Sequence, residues 1–188
     1  MNNINKNDNN LNSKELKSST LQSLDDLITA LCEEERTTYN HIVRSINLSS
    51  EVFKDYCSWS TTCYTRNCIM ENEKFELILL CWEKGQKTPI HDHGGEECWV
   101  KVIEGEFRET IYKKDENGTL VTITSTISKV NDISYMIDFM GYHCLENLSE
   151  KRSMSLHLYA KPISNCNIFD EKSKKIINKE LSYDTIAR

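Results

Sequence analysis

The hydrophobic pattern divides the chain into a short helical part and a longer β part. In residues 19–35, apolar side chains such as Leu24, Leu27 and Leu31 recur every three or four positions, which predicts an amphipathic helix. A second short helix is predicted over residues 38–46 and a third over residues 50–56. The chain therefore begins with two to three helices.

From Cys63 onward the pattern changes to short apolar, aromatic and β-branched runs, which are typical of strands. The predicted strands cover residues 75–82, 98–103, 107–112, 120–127, 134–137 and 154–159. Asn117-Gly118 is a good hairpin turn, and Gly105 predicts a second hairpin. Many short strands at this spacing favour a sandwich or small barrel. We therefore predict a mainly β protein with helices first and a jelly-roll-like β-barrel after them.

Length and composition bound the domain organisation. A chain of 188 residues suffices for one domain with a substantial core. Residues 1–12 hold seven asparagines and almost no apolar surface, so they cannot offset the entropy of ordering. We predict a disordered tail over residues 1–15 and one folded domain over residues 16–188.

Charge and cysteine usage narrow the function classes. The net charge of −6 argues against a nucleic-acid partner and against an anionic membrane surface. The sequence has no membrane-spanning apolar run and no secretory signal at its start, so its eight cysteines are expected to be free thiols. We expect a soluble, cytoplasmic monomer that acts on small molecules.

Two of the five histidines, His91 and His93, follow a loop containing Gly and Pro and are separated by one residue. On extended backbone both imidazoles would point to one side and Asp92 to the other, so the pair can bind one metal ion. His143 is a further candidate ligand, and Asn147 can support the strand that presents it. The alternatives are surface histidines at 91 and 93 and a hydrogen-bonded core histidine at 143. The spacing does not choose between iron, zinc, copper and nickel.

Three separated motifs resemble a known family. The pattern Gly-x5-His-x-His-x4-Cys-x6-Gly, which starts at Gly85, is followed by Gly-x-His-x3-Asn from Gly141. These two stretches resemble the paired motifs of the cupin β-barrel, with Cys98 where most cupins carry a glutamate ligand. Together with Tyr-Thr-Arg-Asn from Tyr64 and Ser-Leu-His-Leu-Tyr from Ser155, they resemble type I cysteine dioxygenases, and the likeness runs in order from about Leu21 to near the C-terminus.

The resemblance implies a cupin fold and an Fe(II)-dependent thiol dioxygenase. One iron per chain would be held by His91, His93 and His143, and L-cysteine with O2 would give 3-sulfinoalanine in cysteine catabolism, on the route to taurine. A site without a carboxylate ligand leaves the metal its full charge, which favours an anionic ligand such as a substrate thiolate.

The same resemblance assigns substrate binding to Arg66 and Tyr64. A guanidinium forms a charge-assisted pair with a carboxylate, and a phenol can add a hydrogen bond. Because the two residues alternate in sequence, their polar ends can share one face of a strand. The alternative is a solvent-exposed arginine. Relatives that prefer 3-mercaptopropionate commonly carry glutamine at the Arg66 position, so this arginine favours an amino-acid thiol.

Ser155, His157 and Tyr159 also alternate, so they can form a polar row on one face of a strand, and the alternative is a polar face that meets solvent. The resemblance places this row beside the metal. The resemblance gives this row a catalytic role and allows a thioether cross-link between Cys98 and Tyr159. An unlinked, buried Cys98 is the alternative.

Several other residues carry weaker expectations. Cysteines without a predicted catalytic role are interpreted as core residues, and these are Cys32, Cys57, Cys63, Cys68, Cys81 and Cys144. Cys166 resembles a family cysteine near the site entrance, and Trp82 belongs either to the core or to the pocket wall. Ala160-Lys161-Pro162 departs from the Ser-Pro-Pro that is common in the family after the Tyr159 position.

Three alternative functions stay open at this point. The nearest is a dioxygenase for another small thiol, such as 3-mercaptopropionate or cysteamine. A cupin that binds a metal or small ligand without turnover is the second. A zinc-dependent isomerase or hydrolase is the third, and the missing glutamate ligand counts against it.

Overall fold

The computed structural model of the protein describes residues 20–187, so the predicted tail over residues 1–15 lies outside the described part. Helix α1 is Leu24–Glu33, and the Ser23 side chain accepts a hydrogen bond from the Asp26 N–H at its start. Helix α2 is Tyr39–Ser45. Short 3-10 helices cover Arg36–Thr38, Ser50–Tyr56 and Asp138–Met140. The three predicted helical segments are present, and the third is a 3-10 helix.

The rest of the described chain is mainly β, as predicted. Its strands are β1 Thr65–Glu71, β2 Glu76–Trp82, β3 Cys98–Glu104, β4 Glu106–Lys114, β5 Leu120–Lys129, β6 Ile133–Met136, β7 Tyr142–Asn147, β8 Ser153–Tyr159, β9 Asn165–Asp170, β10 Lys175–Glu180 and β11 Thr185–Ile186. All six predicted runs are strands. The strands after residue 160 were not predicted, because β9 and β10 mix polar and apolar residues without alternation and β11 is only two residues long.

The strands form a six-stranded sheet, a three-stranded sheet and a two-stranded sheet. Their orders are β11-β1-β2-β8-β3-β6, β5-β4-β7 and β10-β9. All pairings of named strands are antiparallel except that of β1 with β11. Within residues 20–187 the chain therefore has helices first and stacked β-sheets after them, in agreement with the predicted mainly β architecture.

Two apolar cores lie on opposite faces of the six-stranded sheet. One face packs against α1 and α2, with Leu77, Leu79 and Leu156 among its buried residues. On the other face Trp82 packs edge-on against Phe107 of β4, at 5.4 Å between ring centroids. The second core therefore lies between the large sheet and the three-stranded sheet, and the candidate site lies beside it.

The two predicted turns had different outcomes. β4 and β5 pair as an antiparallel hairpin around Asn117-Gly118, and Gly118 adopts a positive φ of 79°, as expected. The predicted hairpin at Gly105 is wrong, because β3 and β4 belong to different sheets. Gly105, with φ of 96°, is instead the corner where the chain passes from one sheet to the other.

Candidate active site

Three histidines from distant parts of the chain meet at one end of the space between the sheets. His91 and His93 lie on the segment between β2 and β3, and His143 lies on β7. Backbone hydrogen bonds in both directions, each 2.9 Å long, join His91 to His143 and hold the two segments together. The ligand nitrogens of all three side chains lie within 4.8 Å of one another. This arrangement can hold one metal ion.

Hydrogen bonds orient two of the imidazoles. Nδ1 of His91 lies 3.0 Å from the Pro89 carbonyl oxygen, and Nδ1 of His143 lies 2.6 Å from Oε1 of Glu109. With Nδ1 as the donor in each pair, Nε2 keeps its lone pair for a metal, which is the common arrangement of metal-binding histidines. Nδ1 of His93 is buried without a hydrogen-bond partner among the described residues. The donor set therefore fits a metal ion.

The imidazoles are held in the form that binds metals. Burial, together with the neighbouring His143, lowers the pKa of His91 to about 3. The same two causes lower the pKa of His93 well below its ordinary value. Near neutral pH both side chains are therefore uncharged, with a free nitrogen lone pair.

Glu109 was missed by the sequence analysis. It is a buried carboxylate on β4, and it lies on the same face of that strand as the core residue Phe107. A charged residue is rarely buried without a partner. Its position two residues after Phe107, on the core face of a predicted strand, was the signal that could have found it.

The segment that carries His91 and His93 is held by two carboxylates. Asp92 points away from the three histidines, as predicted. Its carboxylate accepts hydrogen bonds from the backbone N–H and the side-chain amide of Asn167, at 2.8 and 2.7 Å. Asp138 accepts the backbone N–H groups of His93 and Gly95 at 2.8 and 2.6 Å. These bonds tie the loop to β9 and to the segment before β7.

Asn147 supports β7 at the end distant from His143. Its amide nitrogen donates to the carbonyl oxygens of Glu83 and Lys151, at 3.1 and 3.3 Å. Its Oδ1 accepts the Ser149 N–H at 2.9 Å. It therefore acts on the strand rather than on the histidine, in agreement with the prediction.

A pocket opens beside the histidine cluster and brings the predicted substrate residues to it. Its wall includes Tyr64, Arg66, His91, His143, His157 and Tyr159. Cys166 also lines this pocket, as the family resemblance implies. Tyr64 and Arg66 therefore share a face, as their alternation predicted.

The Arg66 guanidinium forms an ion pair through one nitrogen and has another nitrogen without a partner. Its Nη2 lies 3.0 Å from Oε1 of Glu76, whose side chain is fully buried. The second oxygen of Glu76 accepts the Ile163 N–H at 3.0 Å. Nε of Arg66 is buried without a partner among the described residues. An unpaired buried donor is costly, so this nitrogen indicates a ligand that accepts hydrogen bonds.

Tyr64 is a neutral phenol packed against an aromatic ring. Its ring stacks on Trp82, with 4.7 Å between the centroids. Burial raises the pKa of Tyr64 to about 12, so its hydroxyl keeps its proton near neutral pH. It can therefore donate a hydrogen bond within the pocket.

His157 and Tyr159 of the polar row on β8 line the pocket, and Ser155 of the same row is fully buried. Ser155 Oγ lies 2.8 Å from Nε2 of His157 and accepts the indole N–H of Trp82 at 2.9 Å. Because an indole nitrogen can only donate, the serine hydroxyl is free to donate to His157, which then carries its proton on Nδ1. Trp82 is thus a fully buried core residue that also orients Ser155.

Cys98 and Tyr159 lie directly opposite each other on β3 and β8. Both side chains are buried. The Tyr159 ring lies 5.7 Å from the His93 ring, between centroids. Burial raises the pKa of both groups, so each keeps its proton. The sequence alone could not establish this pairing.

The cysteines are all free thiols, but they are not all core residues. Cys68 and Cys81 are buried, as predicted, and Cys32, Cys57 and Cys144 are half-buried. Cys63 is exposed, so its assignment to the core is wrong. It lies in a bend before β1, where the neighbouring threonines are also exposed.

The departure at residues 160–162 leaves the pocket wall intact. The Ala160 N–H donates to the Glu97 carbonyl oxygen at 3.0 Å, and Ile163 is held by Glu76 as described above. A hydrogen bond to the Glu97 carbonyl oxygen and one to the Glu76 carboxylate therefore fix the two ends of this loop.

The antiparallel sheets and the three convergent histidines define a cupin with a candidate metal centre. The family model "Cysteine dioxygenase type I" matches residues 11–172. The chain belongs to the cysteine dioxygenase type I family.

Two curated relatives illustrate the similarity to this family. "Cysteine dioxygenase type 1" of Homo sapiens is 33% identical over 122 residues, which cover 63% of this chain and 61% of the relative. That of Danio rerio is 36% identical over 116 residues, covering 58% and 57%. The chain thus spans about three-fifths of the length of these relatives.

The solved structures include a Klebsiella pneumoniae protein with a double-stranded β-helix domain, at 18% identity and a TM-score of 0.48, covering 61% of this chain and 85% of that one. An RmlC-like cupin from Desulfovibrio desulfuricans has 16% identity and a TM-score of 0.46, and the match covers 62% of this chain and 100% of that one. No helix in the described part of the chain has the length and apolar character needed to cross a membrane.

Proposed function

We propose that the protein is an Fe(II)-dependent dioxygenase that converts L-cysteine and O2 into 3-sulfinoalanine. One iron per chain would be held by His91, His93 and His143. The observation that carries the proposal is the position of this histidine cluster in the same pocket as Arg66. A metal and a carboxylate-binding group therefore face the same small space.

The donor set supports a metal that needs an anionic substrate. The three imidazoles contribute no negative charge, so a divalent ion keeps its full charge and favours a thiolate. Iron, when bound, would supply the redox chemistry that places both atoms of O2 on the thiol sulfur. Glu109 acts here by keeping the proton of His143 on Nδ1, so that Nε2 stays free to bind the metal.

Arg66 and Tyr64 would bind the substrate carboxylate. The unpartnered Nε of Arg66 supplies a charged donor, and the Tyr64 hydroxyl supplies a neutral one. Two donors at fixed positions would orient the bound amino acid, so that its thiol lies toward the histidines.

The row on β8 would serve the reacting end of the substrate. Ser155 sets the tautomer of His157, and the Tyr159 hydroxyl lines the pocket as a proton donor. We propose that Cys98 and Tyr159 can be joined by a thioether, because they are direct partners on neighbouring strands and both are buried. The cross-link would fix the phenol in one rotamer.

One observation favours a second candidate function. Arg66 is already paired with the buried Glu76, so part of its charge is neutralised before any substrate arrives. A thiol with an amine and no carboxylate, such as cysteamine, would make no use of Arg66. The Arg66–Glu76 pair therefore keeps cysteamine as the alternative substrate.

The deciding experiment measures metal content and oxygen consumption with L-cysteine, 3-mercaptopropionate and cysteamine. We expect iron in the purified protein and the highest kcat/KM with L-cysteine. A higher kcat/KM with cysteamine would support the second candidate. Zinc in place of iron, with no oxygen consumption, would leave a metal-binding cupin without turnover. Four further expectations stay predictions: a monomeric state, a cytoplasmic location, a place on the route to taurine, and the absence of nucleic-acid or membrane partners.

A further inference from the structure

Three sulfur atoms converge on the face of the six-stranded sheet that is turned toward the helices. Cys81 and Met154 belong to the core that packs against α1 and α2, and Cys57 lies at its edge. The histidine pocket is on the opposite face of the sheet, where Leu80 lines it. The sulfur cluster is therefore separate from the candidate active site.

The contacts between the three residues are close. Cys81 and Met154 are direct partners on β2 and β8, so their side chains project side by side. Cys57, which follows the 3-10 helix Ser50–Tyr56, has its Sγ 3.5 Å from Sδ of Met154. Cys57 packs against the same core that contains Cys81 and Met154. Each sulfur thus comes from a different element.

The surroundings of Cys81 suit a thiolate that is paired with a cation. Asn67 Nδ2 donates to its sulfur at 3.5 Å. Burial raises the pKa of both Cys57 and Cys81, so without a cation both stay protonated. A bound cation would supply the positive charge that stabilises the deprotonated forms.

We propose that Cys57, Cys81 and Met154 form a binding site for one soft monovalent metal ion, represented by Cu(I). Two thiolates and a thioether are the ligand types that select Cu(I). A structural zinc site takes four ligands, whereas this cluster offers three. Within the described residues, the three histidines are the only group of three or more His, Cys, Asp or Glu side chains whose ligand atoms lie close together. Three sulfur ligands in a plane with ~2.3 Å bonds to a metal lie about 4.0 Å apart, so the 3.5 Å separation of the Cys57 and Met154 sulfur atoms would have to widen by about half an ångström.

Binding is an exchange of ions without a change in oxidation state. Two S–H bonds are broken, two sulfur–copper bonds form, and two protons leave to solvent, while Met154 adds a neutral lone pair. Cys57 is half-buried and Cys81 is buried, so the ion would reach the site from the Cys57 side. Since the bound ion would tie the 3-10 segment to the sheet, it should also raise the thermal midpoint of unfolding.

The test uses the purified full chain, kept reduced and free of oxygen, with Cu(I) supplied from a chromophoric chelator. We expect one Cu(I) per chain in the sulfur site, three sulfur neighbours at about 2.3 Å in X-ray absorption, and a raised thermal midpoint. Cys57→Ala and Cys81→Ala should each lose this binding. Met154→Leu, which nearly keeps the side-chain volume, should weaken it about tenfold or more.

Cys63→Ser is the matched control, because this thiol is exposed and lies outside the cluster. It should leave the Cu(I) affinity and the midpoint shift unchanged. Iron content of each variant reports whether the opposite face is still folded. Unchanged Cu(I) affinity in the folded Cys57→Ala or Met154→Leu protein would overturn the proposal, as would a Cu(I) environment with nitrogen ligands.

Discussion

Replacing Arg66 by glutamine tests the proposed substrate site and the buried ion pair together. The substitution removes the charged donor that faces the pocket, and it also removes the partner of Glu76. Glutamine retains an amide that can hydrogen-bond the Glu76 carboxylate. The two consequences concern different quantities, catalytic efficiency and folding stability, and can be separated.

The stability effect follows from burial. Glu76 is fully buried, and the Arg66 side chain is only 13% exposed. Removing one partner of such a pair typically lowers the free energy of unfolding by about 3–5 kcal/mol. Arg66→Gln/Glu76→Gln leaves two neutral amides in place of the pair. It should recover most of that loss, because no charge stays buried and uncompensated.

The catalytic effect should not recover in the double variant. Loss of the charged contact to the substrate carboxylate should cost about 3 kcal/mol, which is about a hundredfold in kcat/KM for L-cysteine. Cysteamine has no carboxylate, so its kcat/KM should change less than about fivefold. Oxygen consumption with both thiols and chemical unfolding of the wild type, the single variant and the double variant provide the measurements.

The stability loss of the single variant should also depend on pH. Burial already raises the pKa of Glu76, and removing Arg66 removes an attraction that lowers it. A carboxyl group whose pKa is raised in the folded state does not lower the free energy of unfolding while it is protonated in both states, below its unfolded-state pKa. The free energy of unfolding falls as the pH rises from there through the folded-state pKa. The difference in unfolding free energy between the single and double variants should therefore be small near pH 4 and largest at neutral pH.

Two results would contradict the predictions for Arg66→Gln. Equal losses of kcat/KM for L-cysteine and cysteamine would remove Arg66 from carboxylate binding. A double variant as unstable as the single variant, at every pH, would show that the Glu76 charge is not the source of the instability.

Three further predictions concern the metal centre and the cross-link. His143→Ala should remove both iron and activity, and a variant with full iron content would exclude His143 as a ligand. Glu109→Gln should weaken iron binding about 10–100-fold in chelator competition, while the surface control Glu106→Gln should not, and equal affinities would exclude an orienting role. After turnover with iron, thiol and O2, intact-mass spectra should show a species lighter by two hydrogens, since joining Cys98 sulfur to the ring carbon beside the Tyr159 hydroxyl removes one from each. Cys98→Ser should abolish this species and keep substantial activity, and its persistence would point to another pair.

Features that depend on local backbone geometry follow from the order of the amino acids alone. Alternation of side chains along extended backbone predicted the shared face of Ser155, His157 and Tyr159 before any strand pairing was known. The spacing of His91 and His93 predicted one common side in the same way. The helical segments and the runs that became strands followed from periodicity, and the family resemblance added the residues to which roles were assigned.

The pairing of the strands and its register depend on tertiary contacts. Glu109 meets His143 because β4 and β7 are neighbours, and Glu76 meets Arg66 because β1 and β2 are. Gly105 reads locally as a hairpin turn, but the chain changes sheets there. These contacts join residues 10 and 34 positions apart, and a shift of one residue in a strand would turn each partner to the other face. The periodicity of one segment carries no information about its neighbour's register, so the carboxylates beside Arg66 and His143 emerge only in the folded protein.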